Sequence, residues 1–464
     1  MVALSKKCVK TLVFQRVINM IQNLTTGRPS KLIFLFCLPL LIGNLFQQLY
    51  NITDALIVGR LLGVNALAAV GATAPLFFVF LIIAFGFAGG LTVVTAQRFG
   101  AGDMDGVRSS VTHAIMACVV LCLLMSTFLL CFLRPILHLM NVPSEIENDA
   151  RIFMSILSFA LMMLVFYNLL FGVVRALGDS KTPLYFLIFA TLLNVVLNFT
   201  FIYFFGFGVA GSALGTVVAI CFTLVLFVFY IYFKIPILHL KKSDWRFSKK
   251  MLKEQLSIAL PMSLQFSVLS FSMMVIQATC NSFGADVIAA FTAALRIEQL
   301  ATQPLLALGM AMATFAAQNF GAGKISRIRQ GVRLTAFWSF IISVSASLLV
   351  RYVGRDMISV FLSEENNFII EVGKTYLSIS TLFYFFLGLI FIFRNTLQGM
   401  GKAVIPLIAS LTELFLRSFV AIYLAKMMGY QGIFYASPIA WIGATLVVTA
   451  GYIFTIKQFK RNLK

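Results

Sequence analysis

The stretch "AQRFGAGDMDGVRSSV", Ala96–Val111, returns as "AQNFGAGKISRIRQGV", Ala317–Val332, so position 96 matches position 317 at a shift of 221 residues. Self-similarity at a fixed shift indicates an internal duplication of one structural unit. The sequence therefore predicts two related lobes. Further glycines and alanines match at this shift: Gly63 with Gly284, Ala68 and Ala69 with Ala289 and Ala290, Gly208 with Gly429, and Gly211 with Gly432.

The composition is that of a membrane protein. Of the 464 residues, 60% are hydrophobic and 11% are charged, and the mean hydropathy is +0.97. Apolar runs of about 20 residues recur along the chain, and each can cross roughly 30 Å of hydrocarbon as a helix. We therefore expect an all-α polytopic protein in a lipid bilayer. Twelve transmembrane helices are predicted to start near residues 31, 66, 107, 151, 182, 210, 254, 287, 330, 372, 403 and 432.

The basic residues indicate the topology. The formal net charge is +20, but the Lys and Arg side chains lie in short loops and tails, which favours a membrane topology signal over nucleic-acid binding. Counted loop by loop, 27 of the 36 fall on one side of the twelve spans and seven on the other. Since basic loops stay inside, both termini are predicted to be cytoplasmic. Six helices per lobe is an even number, so a pseudo-twofold axis along the membrane normal should relate the two six-helix lobes.

Five segments follow from these boundaries. The two lobes are separated by a basic stretch, for which an amphipathic interfacial segment is the expected structure. The predicted segments are a basic cytoplasmic arm at 1–30, the N-lobe at 31–236, the linker at 237–253, the C-lobe at 254–455 and a basic tail at 456–464.

Asp54 is an acidic residue inside the first predicted region of apolar sequence. Gln47, Tyr50 and Asn51 precede it by seven, four and three residues, which places all four on one helical face, beyond a hinge expected at Pro39. A charge inside a span costs about 2.5–3.5 kcal/mol, and such residues usually mark ion or substrate paths. Asp54 is therefore the candidate cation-coupling residue, which can take a proton or transiently hold Na⁺.

Two alternatives stay open around this aspartate. Asp54 can instead pair with Arg60 at the end of its helix, as a structural ion pair. Asn194 and Asn198, one turn apart in a later span, suit either ligands of the coupling site or hydrogen bonds between helices.

The second lobe carries charges within its predicted spans. Glu413 precedes Arg417 by four residues, a spacing that favours an ion pair within one helix. Arg296 and Glu298 are likewise expected to neutralise each other locally. Together with two amides these residues are predicted to shape the polar cleft of the second lobe; the amides are Gln265 and Gln277.

An enzyme is not indicated. The sequence holds no HExxH or GxSxG motif, and its three histidines are far apart, so neither a catalytic site nor a metal site is predicted. The glycines of "GFGVAG", Gly206–Gly211, match a dinucleotide motif but fall in a turn between two membrane helices. No cofactor is expected.

The motifs together resemble the multidrug and toxic compound extrusion (MATE) family. The similarity runs from "LPLLIGNLFQQLYNITDALIVGRLLG" through "AQRFGAG", "RALGDSKTP" and "GVAGSALGT" to "ALRIEQL", "AAQNFGAG" and "LQGMGK". The resemblance implies a V-shaped pair of lobes that exports organic cations or drugs in exchange for H⁺ or Na⁺. It also implies that Asp54 is the family's aspartate in the first helix and Asn194 its amide in the fifth.

The chain departs from the family pattern in two places. One branch has a second aspartate where this chain has Asn198, and another has acidic residues in the seventh and tenth helices, where this chain has none. Asp54 is thus the principal coupling candidate of an alternating-access antiporter, and the ion stays open between H⁺ and Na⁺. The resemblance favours a monomer in the cytoplasmic membrane of a prokaryote.

The alternative function is a flippase for a lipid-linked saccharide or peptidoglycan precursor, which related folds perform. That activity predicts extra helices or a cleft lined by several arginines. Only Arg296 and Arg417 fall within the twelve predicted spans.

Overall fold

The structure is a computed structural model that describes residues 22–139, 144–360 and 366–462, without the side chains of 51, 52, 54–75, 139, 144–146 and 462. The described chain is helical, with short 3₁₀ turns between helices and one π turn directly after the helix that ends at Phe199. The α-helices are α1 Pro29–Gly100, α2 Met104–Leu139, α3 Ser144–Ala176, α4 Lys181–Phe199, α5 Gly208–Lys234, α6 Lys249–Asn281, α7 Ala285–Ala301, α8 Gln303–Gly321, α9 Ile325–Ser359, α10 Asn367–Leu382, α11 Tyr384–Gly399, α12 Val404–Met428 and α13 Ala436–Asn462.

These helices account for the predicted spans. Within the described ranges, nine segments are long and apolar enough to cross a membrane, and two bent helix pairs, α7 with α8 and α10 with α11, bring the number to 11. One of the nine, Val404–Arg461, contains both α12 and α13. The twelve predicted spans are therefore all represented, and the all-helical fold class is confirmed.

One expected loop is wrong. The sequence predicts two separate spans that start near residues 31 and 66, whereas the backbone is helical throughout α1. Two apolar segments of this helix, Pro29–Tyr50 and Leu76–Gly100, qualify as spans. Of residues 51–75 between them, only Pro75 lacks the backbone N–H that a continuing helix needs, and it directly precedes the second segment.

The contacts divide the described chain into two units, each with its own interior. One unit holds residues 22–26 and 42–263, and the other holds residues 27–41 and 264–462. The first unit is thus the predicted N-lobe without the start of α1 but with the linker and the start of α6. The part of the predicted N-terminal arm at residues 1–21 lies outside the described residues.

A proline lies just before each of two points where the chain passes from one contact unit to the other. In α1 the change falls after Leu41, two residues beyond Pro39, and in α6 it falls after Ser263, two residues beyond Pro261. A proline inside a helix removes one backbone hydrogen bond and weakens the helix locally. The hinge predicted at Pro39 thus has a counterpart in the second repeat, and its movement stays a prediction.

The linker is fixed to the N-terminal part of α2. Asp244, in the 3₁₀ turn Lys242–Trp245, forms an ion pair with Arg108 at 3.3 Å, and its carbonyl accepts a hydrogen bond from Thr112 Oγ1 at 2.7 Å. The Ser248 N–H donates to Nε2 of the buried His113 at 2.8 Å. This part of the linker is therefore held by specific bonds within the first unit.

Close packing between α1 and α6 explains a glycine pair that the sequence places in a membrane helix. A Cβ at Gly90 would overlap the backbone of Ala259, whereas a Cβ at Gly89 would have only the flexible end of Met262 nearby, at 3.7 Å. Glycine at position 90 lets the two backbones approach closely, as small residues do between membrane helices.

We predict that Gly90→Ala destabilises the first unit. The added methyl group has to displace backbone atoms of α6, and overpacking of this kind costs about 1–3 kcal/mol. Thermal unfolding of the purified, detergent-solubilised protein measures the effect. Gly89→Ala is the matched control, because its methyl group fits and alanine favours the helix. Equal melting temperatures for the two variants would contradict the close approach.

Candidate functional site

A cavity of about 390 Å³ lies inside the first unit. Its lining comes from α1, α3, α4 and α5, and most of it is apolar, with the rings of Phe77, Phe78 and Phe153 among the lining groups. Mostly apolar cavities with a few placed polar groups are typical small-molecule sites. The polar residues of the lining are Gln47, Tyr50, Tyr167, Thr191, Asn194 and Thr216.

A chain of amide hydrogen bonds leads away from the cavity. Asn198 donates to Asn194 Oδ1 at 3.2 Å, and Asn194 donates to Thr216 Oγ1 at 3.1 Å. Both asparagines are buried. Gly215 makes room for this arrangement, since a Cβ there would overlap Asn198 Oδ1. The structure thus places Asn194 at the cavity and Asn198 behind it as its hydrogen-bond partner.

Part of the predicted coupling site can be placed. Gln47 and Tyr50 line the same cavity as Asn194, so the structure brings these predicted residues together. The side chains of Asn51 and Asp54 lie outside the described residues. The helical backbone nevertheless keeps position 54 one turn beyond Tyr50 on the same face of α1. The role of Asp54 in coupling stays a prediction.

In the second unit, the predicted pair of Glu413 and Arg417 is confirmed. Arg417 donates to the Glu413 carboxylate within α12, and both side chains are almost fully buried. Arg417 also donates to Ser272 Oγ at 3.0 Å, which connects α12 to α6. A buried ion pair of this kind satisfies its charges inside the protein instead of in water.

The predicted pairing of Arg296 with Glu298 is wrong. Residues two apart lie on different faces of a helix, and here Arg296 is exposed while Glu298 is only 8% exposed. Glu298 instead accepts a hydrogen bond from the Tyr376 hydroxyl of α10 at 2.9 Å. The partner of the carboxylate is therefore a neutral donor from another helix.

The two predicted amides of α6 have different surroundings. Gln265 is fully buried and accepts a hydrogen bond from Gln398 of α11 at 2.8 Å, so it contributes to the polar interior of the second unit. Gln277 is half-buried and donates to Asn281 in its own helix at 2.9 Å. Only Gln265 thus links two helices.

Sequence reasoning missed one tyrosine at each of the two sites. Tyr167 lines the cavity of the first unit, and Tyr376 holds Glu298 in the second. One available signal was the four-residue spacing of Tyr376, Ser380 and Tyr384, which puts three hydroxyl groups along one side of neighbouring helical turns.

The profile of the MatE family matches residues 39–200 and 261–424, which is one match in each repeat and more than half of the chain. The chain belongs to the MatE family. The resemblance seen in the sequence is thereby confirmed, and the internal duplication coincides with two copies of the same family region. This MatE protein is a membrane transporter and not an enzyme.

Its relatives cover almost the whole chain. The probable multidrug resistance protein YpnP of Bacillus subtilis is 28% identical over 89% of this chain and 92% of its own length. The probable multidrug resistance protein NorM of Thermotoga maritima is 24% identical over 88% and 87%. Among solved structures, an outward-facing multidrug resistance MATE family transporter of the MOP superfamily has a TM-score of 0.88 at 24% identity, covering 95% of this chain and 98% of that one. The fold is therefore shared from end to end.

We predict that Arg417→Met strongly destabilises the second unit. Removing the guanidinium leaves the Glu413 carboxylate buried without the Arg417 charge beside it, which costs about 3–5 kcal/mol. Thermal unfolding of the purified protein measures the loss. The double variant Glu413→Gln with Arg417→Met removes both charges and should recover most of the stability; a double variant as unstable as Arg417→Met would contradict a charge-pairing role.

Proposed function

We propose that this MatE protein is a secondary active antiporter that exports organic cations or drugs across the cytoplasmic membrane of a prokaryote. It takes up H⁺ or Na⁺ in exchange, works by alternating access as a single chain, and keeps both termini in the cytoplasm. The observation that carries this proposal is the cavity of the first unit, which combines aromatic rings with the amides of Gln47 and Asn194.

The lining of this cavity suits flat, greasy cations. Aromatic faces attract cations through their quadrupoles, and the apolar walls favour the hydrocarbon parts of such molecules. The amide and hydroxyl groups fix orientation without adding a permanent charge. The names of the relatives agree with drug export, since YpnP and NorM are both described as probable multidrug resistance proteins.

Coupling requires that the ion and the drug favour different states of the transporter. Position 54 shares a helical face with Gln47 and Tyr50, so an ion bound by Asp54 acts next to the drug cavity. Each positive charge that moves inward gains about 2.3 kcal/mol per 100 mV of membrane potential. An exported monovalent cation costs the same amount, so a one-for-one exchange is driven by the concentration gradient of the ion, and the membrane potential adds to it only when more positive charge enters than leaves.

The flippase alternative receives less support. Of the two arginines within the predicted spans, Arg417 is paired with Glu413 and only Arg296 is exposed, so they do not supply the several free cations expected for a phosphate headgroup. An antiporter of cations fits these positions better.

We predict that Asp54→Asn uncouples transport from the ion gradient while drug binding persists. The amide keeps the size of the side chain but cannot exchange a proton or balance Na⁺ with a negative charge. Gradient-driven tetraphenylphosphonium transport in proteoliposomes should fall at least about tenfold, equivalent to ~1.4 kcal/mol. Separate pH and Na⁺ gradients identify the coupling ion.

Asp286→Asn is the matched control, because Asp286 is an exposed acid at the start of α7 and should tolerate the same change. Wild-type transport by Asp54→Asn, with the same dependence on both gradients, would show that coupling lies elsewhere.

A further inference from the structure

Two membrane helices of the second unit are broken. The axis bends by 42° between α7 and α8, around Thr302, and by 51° between α10 and α11, around Phe383. Pro304 near the start of α8 lacks the N–H that would continue the helix. The equivalent segments of the first unit, Leu76–Gly100 and α3, are unbroken. The breaks thus belong to one repeat only.

A buried carboxylate joins the two broken helices, one turn before the first bend and, through Tyr376, about two turns before the second. Glu298 lies one turn before Thr302, whose N–H and hydroxyl both donate to the Glu298 carbonyl, at 3.0 and 2.8 Å. Its carboxylate accepts from the Tyr376 hydroxyl at 2.9 Å. The two broken helices also pack side by side on both sides of their bends, because α7 packs against α10 and α8 packs against α11. A change at this hydrogen bond therefore acts on both bends.

The neighbours of Glu298 include one charge. Tyr376 and Ser380 face it from α10, Tyr384 from α11, and Arg417 from α12. The guanidinium of Arg417 is already bonded to the Glu413 carboxylate and to Ser272.

A further buried arginine, Arg394, interacts with Glu413 and is not among the groups that act on Glu298. Among the residues that the structure describes, an ionised Glu298 therefore has no ion-pair partner of its own. Burying such a charge is costly, and a proton removes it.

We propose that Glu298 is a second proton-binding carboxyl of this transporter, held by Tyr376 where two helices bend and separate from Asp54. Protonation forms the carboxyl O–H bond and leaves the pair with Tyr376 neutral; release returns H⁺ to water and leaves a carboxylate that Arg417 attracts. Because broken helices commonly carry the ion sites of transporters, the charge change acts on the bends of α7–α8 and α10–α11. The proposal rests on the antiport function above.

A tryptophan reports on this site without any transport assay. Trp441 is 2% exposed and packs edge-to-face on Tyr384 at 6.1 Å between ring centroids, and Tyr384 in turn interacts electrostatically with Glu298. The other two tryptophans are Trp245 and Trp338. With both replaced by Phe, the emission of the purified protein comes from Trp441 alone.

The test is a pH titration of this emission in Na⁺-free buffer. We expect a sigmoidal change that Glu298→Gln abolishes and that Asp54→Asn and the exposed-site control Asp286→Asn leave in place. Tyr376→Phe keeps the carboxyl and should shift the midpoint while retaining the amplitude, which separates proton binding from a folding defect. A Trp441 emission that does not change with pH, or a sigmoidal pH dependence that persists in Glu298→Gln, overturns the proposal. So does a response to Na⁺ at fixed pH that needs Glu298, since the site would then bind sodium.

Proton counting links the site to transport. Binding of tetraphenylphosphonium to the wild-type protein in weak buffer should release protons, and Glu298→Gln should lower the number by about one per chain. An unchanged number contradicts the proposal. If the protein transports no organic cation at all, the proposed function fails, while the Trp441 titration still decides whether Glu298 binds a proton.

Discussion

The hydrocarbon core of a membrane offers no water to polar groups, so each polar side chain inside this protein needs a partner from the protein itself. Three pairs in the second unit illustrate this: the ion pair of Glu413 and Arg417, the amide pair of Gln265 and Gln398, and the carboxylate–hydroxyl pair of Glu298 and Tyr376. Two of these three bonds join different helices. The same requirement that makes the backbone helical thus also fixes which helix faces meet.

The two repeats meet this requirement differently at equivalent positions. Asn194 and Asn198 of α4 correspond to Glu413 and Arg417 of α12, at a shift of 219 residues, and both pairs are bonded within their helix. One pair is made of neutral amides beside an open cavity, and the other of opposite charges in a packed interior. Each pair has no net charge, so the duplicated position has diverged in chemistry while its total charge has stayed the same.

Local patterns in the sequence predicted the features that depend on neighbours along the chain. Glycine, proline and charge mark the helix ends, so α4, α5 and α12 begin within two residues of the expected starts. The four-residue spacing likewise predicted the Glu413–Arg417 pair. Glu298 was misassigned because its partner, Tyr376, is 78 residues away and neutral, and no local rule brings the two together. No proline near Phe383 signals the bend in the sequence, which is why a single straight span was expected there.

The prolines of α1 and α6 lie where the first residues of each repeat, which belong to the other contact unit, end. Residues 27–41 of the first repeat complete the second unit, and the start of α6 completes the first. Neither half of the polypeptide therefore contains all the residues of one contact unit. A chain with only one such repeat could complete its interior only by exchanging this segment with a second copy, as domain-swapped dimers do. Joining two copies in one polypeptide makes the exchange intramolecular, which frees each copy to change its buried side chains independently.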